Sequence, residues 1–164
     1  MYQYIGPKEI LQQVKPEKIG KFIQSEDDIK DWIIKTNQKP DVNDEIIATF
    51  IVDLDDNIRI NDRHSEHVVC ANGKNILSAG EITFELVKNK IRVNQITNQS
   101  TGYCPSPKSW NNVLKALGKT KIIFPEYWTT EFIFRICSNC KNINIVKDNF
   151  FVCVFCENDL PENE

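Results

Sequence analysis

Cys137-Ser138-Asn139-Cys140 and Cys153-Val154-Phe155-Cys156 constrain this chain more than any other feature. Two CxxC pairs twelve residues apart can set four thiolates at the corners of a tetrahedron, the arrangement Zn²⁺ takes at a closed structural site. Between the pairs, Ile143, Ile145 and Val146 are apolar, Lys147-Asp148-Asn149 has turn chemistry, and Phe150-Phe151-Val152 leads back to the second pair. The pattern predicts a hairpin joining the two pairs and a C-terminal zinc ribbon over 131–164. The competing arrangement is a pair of disulfides. A ribbon does not by itself name an activity, because the same module serves nucleic acids, proteins and plain stability.

The remaining residues suffice for one domain of ordinary size. Residues 1–40 read as a helical lead-in. Ile10, Leu11 and Val14 share a face of a helix over Pro7–Val14, and Ser25-Glu26-Asp27-Asp28 resembles a capping box ahead of Ile29, Trp32 and Ile33. That second helix is expected to run to about Thr36.

From 41 to 130 the pattern changes to strands and turns. Glu45–Asp53 is rich in β-branched residues, Asp55-Asp56-Asn57 is a turn, and Ile58-Arg59-Ile60 returns. His67–Cys70 and Asn75–Leu77 flank the turn Ala71-Asn72-Gly73. Glu81–Val87 and Ile91–Thr97 alternate in polarity, with Asn89 in the turn between them. The expectation is an antiparallel meander with one wet face. Ser106-Pro107 then starts a helix whose stripe is Trp110, Val113, Leu114 and Leu117, ended by Gly118. The fold class is α+β: two N-terminal helices, a mainly antiparallel sheet, one later helix, and the ribbon. The acidic tail 157–164 is expected to fray.

The net charge of −3 gives no general attraction to phosphate backbones. The ribbon has only Lys141 and Lys147 against Asp148, Glu157, Asp159, Glu162 and Glu164, whereas a nucleic-acid ribbon carries a basic face. No apolar run is long enough to span a bilayer, and the N-terminus lacks signal-peptide form. Six cysteines, four of them in metal spacing, point to the reducing cytoplasm, with Cys70 and Cys104 as reduced and partly buried thiols.

Two further motifs dissolve on inspection. Asp53-Leu54-Asp55-Asp56-Asn57 starts like a calcium loop, but Ile58 and His64 stand where that loop needs Gly and Glu. His64-Ser65-Glu66 matches the His-x-Glu of zinc deaminases, yet neither CxxC has the preceding Pro of the partner motif.

Polar residues are dense at three strand ends: Arg63-His64-Ser65-Glu66-His67, Ser78-Ala79-Gly80-Glu81, and Asn98-Gln99-Ser100-Thr101-Gly102-Tyr103. A meander could gather Arg63, His64, Ser65, His67, Glu81, Asn98, Ser100 and Tyr103 on one edge as a ligand site. The bland alternative is that they cap strands and satisfy turns.

The order and spacing of Phe50–Ile58, Arg63-His64-Ser65, Ala79-Gly80-Glu81-Ile82 and Asn98–Pro105 resemble the folded β-domain of plant IQ-motif calmodulin-binding proteins, over residues 49 to about 118. The whole chain resembles small uncharacterised bacterial zinc-ribbon proteins. The family's His before Tyr is Gly102 here, Thr101 is inserted, and there is no IQ helix, so a calmodulin partner does not carry over. The resemblance implies a role for the polar loops without naming a ligand.

Three functions follow as expectations. The first is a cytosolic zinc-binding module with a polar ligand or partner site on its β-domain. The second is a small hydrolase or group-transfer enzyme with His64 or His67 as base, Arg63 on an anionic group, and Glu81. The third is a nucleic-acid-associated ribbon factor.

Overall fold

The computed structural model describes residues 1–88 and 90–163. Asn89, expected in a turn, and Glu164 at the end of the tail lie outside the described residues. The chain forms α1 (Lys8–Leu11), a 3₁₀ turn (Pro16–Lys18), β1 (Lys21–Ile23), α2 (Glu26–Lys35), β2 (Glu45–Val52), β3 (Ile58–Asp62) and α3 (His67–Cys70). Then come β4 (Ser78–Val87), β5 (Lys90–Ile96), a second 3₁₀ turn (Pro107–Ser109), α4 (Trp110–Gly118), β6 (Ile133–Ile136) and β7 (Ile143–Val146). The class is α+β with an antiparallel main sheet of order β1-β3-β2-β4-β5, and β6–β7 form a separate two-stranded sheet.

α2 starts where its local chemistry dictates. The Ser25 side chain accepts from the Asp28 N–H while the Asp28 carboxylate accepts from the Ser25 N–H, so two otherwise orphaned donors are satisfied. Ile29 and Trp32 face the core, and Lys30–Glu26 and Lys35–Asp31 pairs lie on the outer side. The helix stops at Thr36, whose hydroxyl donates to the Trp32 carbonyl.

β2 is the central strand and is covered on both faces. Ile46, Ala48, Phe50 and Val52 join Ile58, Ile60, Ile82 and Phe84 in the larger core under α2 and α4. Ile51, on the other face, packs with Val68, Val69, Cys70, Ile76 and Tyr103, closed over by Tyr2, Tyr4, Ile10 and Val14.

The expected meander is replaced by a crossing. β4 pairs with β2 rather than with β3, so the chain after β3 must cross the face of β2. His67–Cys70, expected as a strand, makes that crossing as α3, and all three of Val68, Val69 and Cys70 are buried. An alternating half-wet strand could not bury three successive side chains; one helical turn lying on the sheet does. The lead-in also departs from expectation. α1 is a single turn, and β1 adds a strand to the sheet edge beside β3. Tyr2 is bridged to Ile76, which ties the N-terminus to the second core.

Candidate metal centre

The first CxxC occupies the turn between β6 and β7, paired from Ile133↔Val146 to Ile136↔Ile143. The hairpin expected between Ile143–Val146 and Phe150–Val152 is therefore formed with the strand preceding the first pair. The Cys137 N–H donates to the Asn142 carbonyl, and the Lys141 N–H donates back to Cys137, at 3.0 Å each. The second pair repeats this. The Cys153 N–H donates to Asn158 and the Glu157 N–H to Cys153, both 2.9 Å, beside a Val152↔Asp159 bridge. Each turn closes through a left-handed residue, Lys141 at φ 62 and Glu157 at φ 58. The sequence carries the repeat openly as Cys-x-x-Cys-x-Asn at 137–142 and 153–158.

The two turns face each other. All four sulfurs lie within 4.8 Å of one another. The closest pairs across the turns are Cys137–Cys156 at 3.6 Å and Cys140–Cys153 at 3.5 Å. Four sulfurs about 2.3 Å from a common tetrahedral centre would stand about 3.8 Å apart, close to these edges. A disulfide would need about 2.05 Å, and all six cysteines are free. The cluster could hold a metal ion.

Three asparagines aim amide N–H groups at the sulfurs: Asn139 at Cys156 (3.6 Å), Asn142 at Cys140 (3.4 Å) and Asn144 at Cys153 (3.5 Å). Burial opposes ionisation of the Cys153 thiol. The Phe155 and Cys156 N–H groups, with Asn144 and Cys140, outweigh it and bring the thiol down to about 6. These asparagines were not singled out from sequence, and of the three only Asn142 carries a signal there, as the Asn two positions after a pair that recurs at Asn158. Asn144 is the best placed. It is buried, donates also to the Asn142 carbonyl, and accepts from the Val154 N–H at 3.0 Å. It thus joins the two turns. Asn144→Ala is expected to weaken metal affinity by about 10–100-fold, the usual cost of losing such a supporting contact, as measured by competition with a chelator.

The tail does not fray as expected. Leu160 is buried with Val146, Cys137 and Cys153, and its N–H donates to Phe151. Arg135 reaches the Pro161 and Glu162 carbonyls and lies over the Phe151 ring.

The polar loops have mostly local duties. Thr49 donates to the carbonyls of exposed Arg63 and half-buried Ser65. His64 is exposed, and its ring pairs with Asp62 at 3.0 Å beside a groove of about 370 Å³ that Ser65 and Glu66 also line. His67 sits on α3 with Nε2–H donating to the Gly80 carbonyl at 3.0 Å. Burial depresses it to about 4, against that bond, so it is neutral at pH 7. The Glu81 carbonyl accepts from the Thr97 N–H, and the Glu81 N–H donates to the Thr97 hydroxyl. Asn98 is wholly buried, donates to Pro105 and Phe132, and accepts from Phe132, pinning the segment that leads into β6. The Ser100 hydroxyl is buried without a hydrogen-bond partner among the described residues. Tyr103 is buried edge-on to Tyr4, its hydroxyl donating to Lys74 at 2.7 Å; burial raises its pKa. Among the described residues no hydrogen bond joins His64, Glu81 and Tyr103. Asp53 caps its own turn by accepting from the Asp55 and Asn57 N–H groups. Burial raises both remaining thiols, Cys70 and Cys104, to about 12, which makes them poor nucleophiles.

No helix is long and apolar enough to cross a membrane among the described residues. Comparison with protein-family models, curated proteins and solved structures finds no match.

Proposed function

We propose that this is a zinc-ribbon binding module: Cys137, Cys140, Cys153 and Cys156 hold one Zn²⁺ with no open position, and the α+β domain carries the ribbon to a partner. The observation that carries the metal reading is the four free sulfurs within 4.8 Å of one another. When bound, the ion supplies cross-linking of two turns and no reaction step, since four thiolates fill a tetrahedral site. Six unpaired thiols fit the cytoplasm.

For a polar or anionic ligand on the β-domain, the support is the His64 groove. Asp62 takes the Nδ1 side of the ring and leaves Nε2 without a partner among the described residues. A hydrolase or group-transfer reading has less behind it, because His67 and Tyr103 spend their N–H and O–H on backbone carbonyls. A nucleic-acid role for the ribbon is disfavoured by its acidic balance.

Native mass spectrometry of protein purified from cells tests both readings together. The expected spectrum shows one zinc per chain, with any small molecule held at the β-domain as a further mass. Substoichiometric metal, or iron in place of zinc, would overturn the metal assignment.

A further inference from the structure

Two shallow depressions beside β5 run together. The first, about 450 Å³, has Lys88, Lys90, Arg92 and Lys121 on its rim. The second, about 620 Å³, shares Lys88, Lys90 and Ile91 with it and adds Lys30. The floor is apolar: Ile33, Leu86, Ile91 and Ile122. Glu26 is already paired with Lys30, and Arg92 with Glu85, while Asp44, the one carboxylate lining the second depression, forms no ion pair among the described residues and offsets one of the lysines. Lys88, Lys90 and Lys121 form no ion pair among the described residues. In a chain of net charge −3, this is a basic groove with an apolar floor.

The ribbon presents the opposite. Phe150 is 67%, Val154 78% and Phe155 62% exposed. Val154 and Phe155 are the two residues inside the second CxxC, so an apolar knuckle stands in solvent. The same ribbon carries Asp148, Glu157, Asp159 and Glu162, none in an ion pair among the described residues, against Lys141 and Lys147. One chain therefore carries an acidic apolar projection and a basic apolar groove.

We propose that the second knuckle of one copy docks in the β5 groove of another, with Phe155 and Val154 on the isoleucine floor and the ribbon's carboxylates on the lysine rim. Aromatic anchors in a desolvated pocket with a charged rim are how small interfaces obtain their energy. Because groove and knuckle are different surfaces, the contact is head-to-tail, so it builds either a closed ring or an open chain of copies. A single-stranded nucleic acid fits the groove less well: among the described residues no aromatic ring lines it for base stacking. Such an occupant would also leave the knuckle bare. The proposal presupposes the folded ribbon, so zinc content is measured on every variant.

Sedimentation velocity of the full chain is expected to show association that grows with concentration and weakens with salt. K88E/K90E/K121E removes the groove, and V154S/F155S removes the knuckle without touching a ligand sulfur. Each variant alone should associate at least about tenfold more weakly than the parent. Mixed together they should form a 1:1 complex that grows no further, since only one intact groove and one intact knuckle remain. A parent that stays monomeric up to about 1 mM overturns the proposal, as do variants that associate like the parent or fail to combine. Binding of a fluorescent single-stranded RNA, lost in the groove variant with no self-association, would overturn it and reassign the groove. Should V154S/F155S lose zinc, the metal centre is at fault, and the milder F155A takes its place in the mixture.

Discussion

Cys153→Ser is expected to abolish stoichiometric zinc binding and unfold residues 133–163 while the β-domain keeps its melting transition. The module has little else to hold it. Its own buried cluster contains two aliphatic side chains, Val146 and Leu160, besides two of the cysteines. Burying two such side chains contributes about 3–6 kcal/mol. A structural zinc contributes about 10–16 kcal/mol to a finger-sized unit, so the metal outweighs the packing. Serine at this position offers a poor ligand oxygen and removes the acceptor toward which Asn144 and the second turn are organised. The β-domain should not notice, because its cores are built from other residues. The readouts separate cleanly. Trp32, Trp110 and Trp128 all belong to the larger core, so tryptophan emission follows the β-domain alone. Amide exchange across 133–163 follows the ribbon. Retention of one zinc and slow exchange in Cys153→Ser would mean that the metal is not what holds the module.

How much of this was legible in the sequence varies with how local the cause is. α2 could be read because Ser25, Asp28, Ile29 and Trp32 form a cap and a stripe that act within one helix. The strands β2, β4 and β5 could be read from alternation and β-branching. α3 could not. His67-Val68-Val69-Cys70 favours a strand by propensity, and its helical form follows from where β3 must deliver the chain. The partner of β7 was likewise ambiguous. Ile143–Val146 alternates equally well against either neighbour, and only the closed turn around Cys137 decides for β6.

The four-cysteine cluster was legible from spacing, since few other arrangements demand two CxxC pairs. The polar loops were not, because composition cannot distinguish a side chain aimed at a ligand from one aimed at its own backbone. Asn98 shows the difference. A wholly buried amide among loop residues reads as a binding group, yet its bonds run to Pro105 and Phe132 of the same chain. It sets how the sheet hands the chain on to β6. Gly80, in one of the same polar segments, has a comparable duty that no motif announces.

Gly80→Ala is expected to destabilise the β-domain by about 3 kcal/mol or more and to lower its melting temperature by on the order of 10 °C. A β-carbon there would stand 1.8 Å from the Thr97 carbonyl oxygen and 3.0 Å from the Asn98 Cα. Both are backbone atoms and cannot rotate away. The Thr97 segment is also held in place: its N–H donates to Glu81, Thr97 is bridged to Thr130, and Asn98 is pinned to Phe132. Relief therefore requires moving the end of β5 off its anchors or peeling β4 from β2 at the Phe50↔Gly80 pair. Either movement disturbs the Gly80 carbonyl that His67 uses, leaving an imidazole N–H without its acceptor. Gly102→Ala is the matched control. The three atoms nearest its β-carbon all belong to the ring of half-buried Tyr4, the closest at 2.7 Å, and a side chain can turn aside. That variant should lose about 1 kcal/mol or less. Thermal melts followed by tryptophan emission compare the two directly. If Gly80→Ala melts together with Gly102→Ala, the close approach of β4 to the Thr97 backbone is not a constraint on this fold.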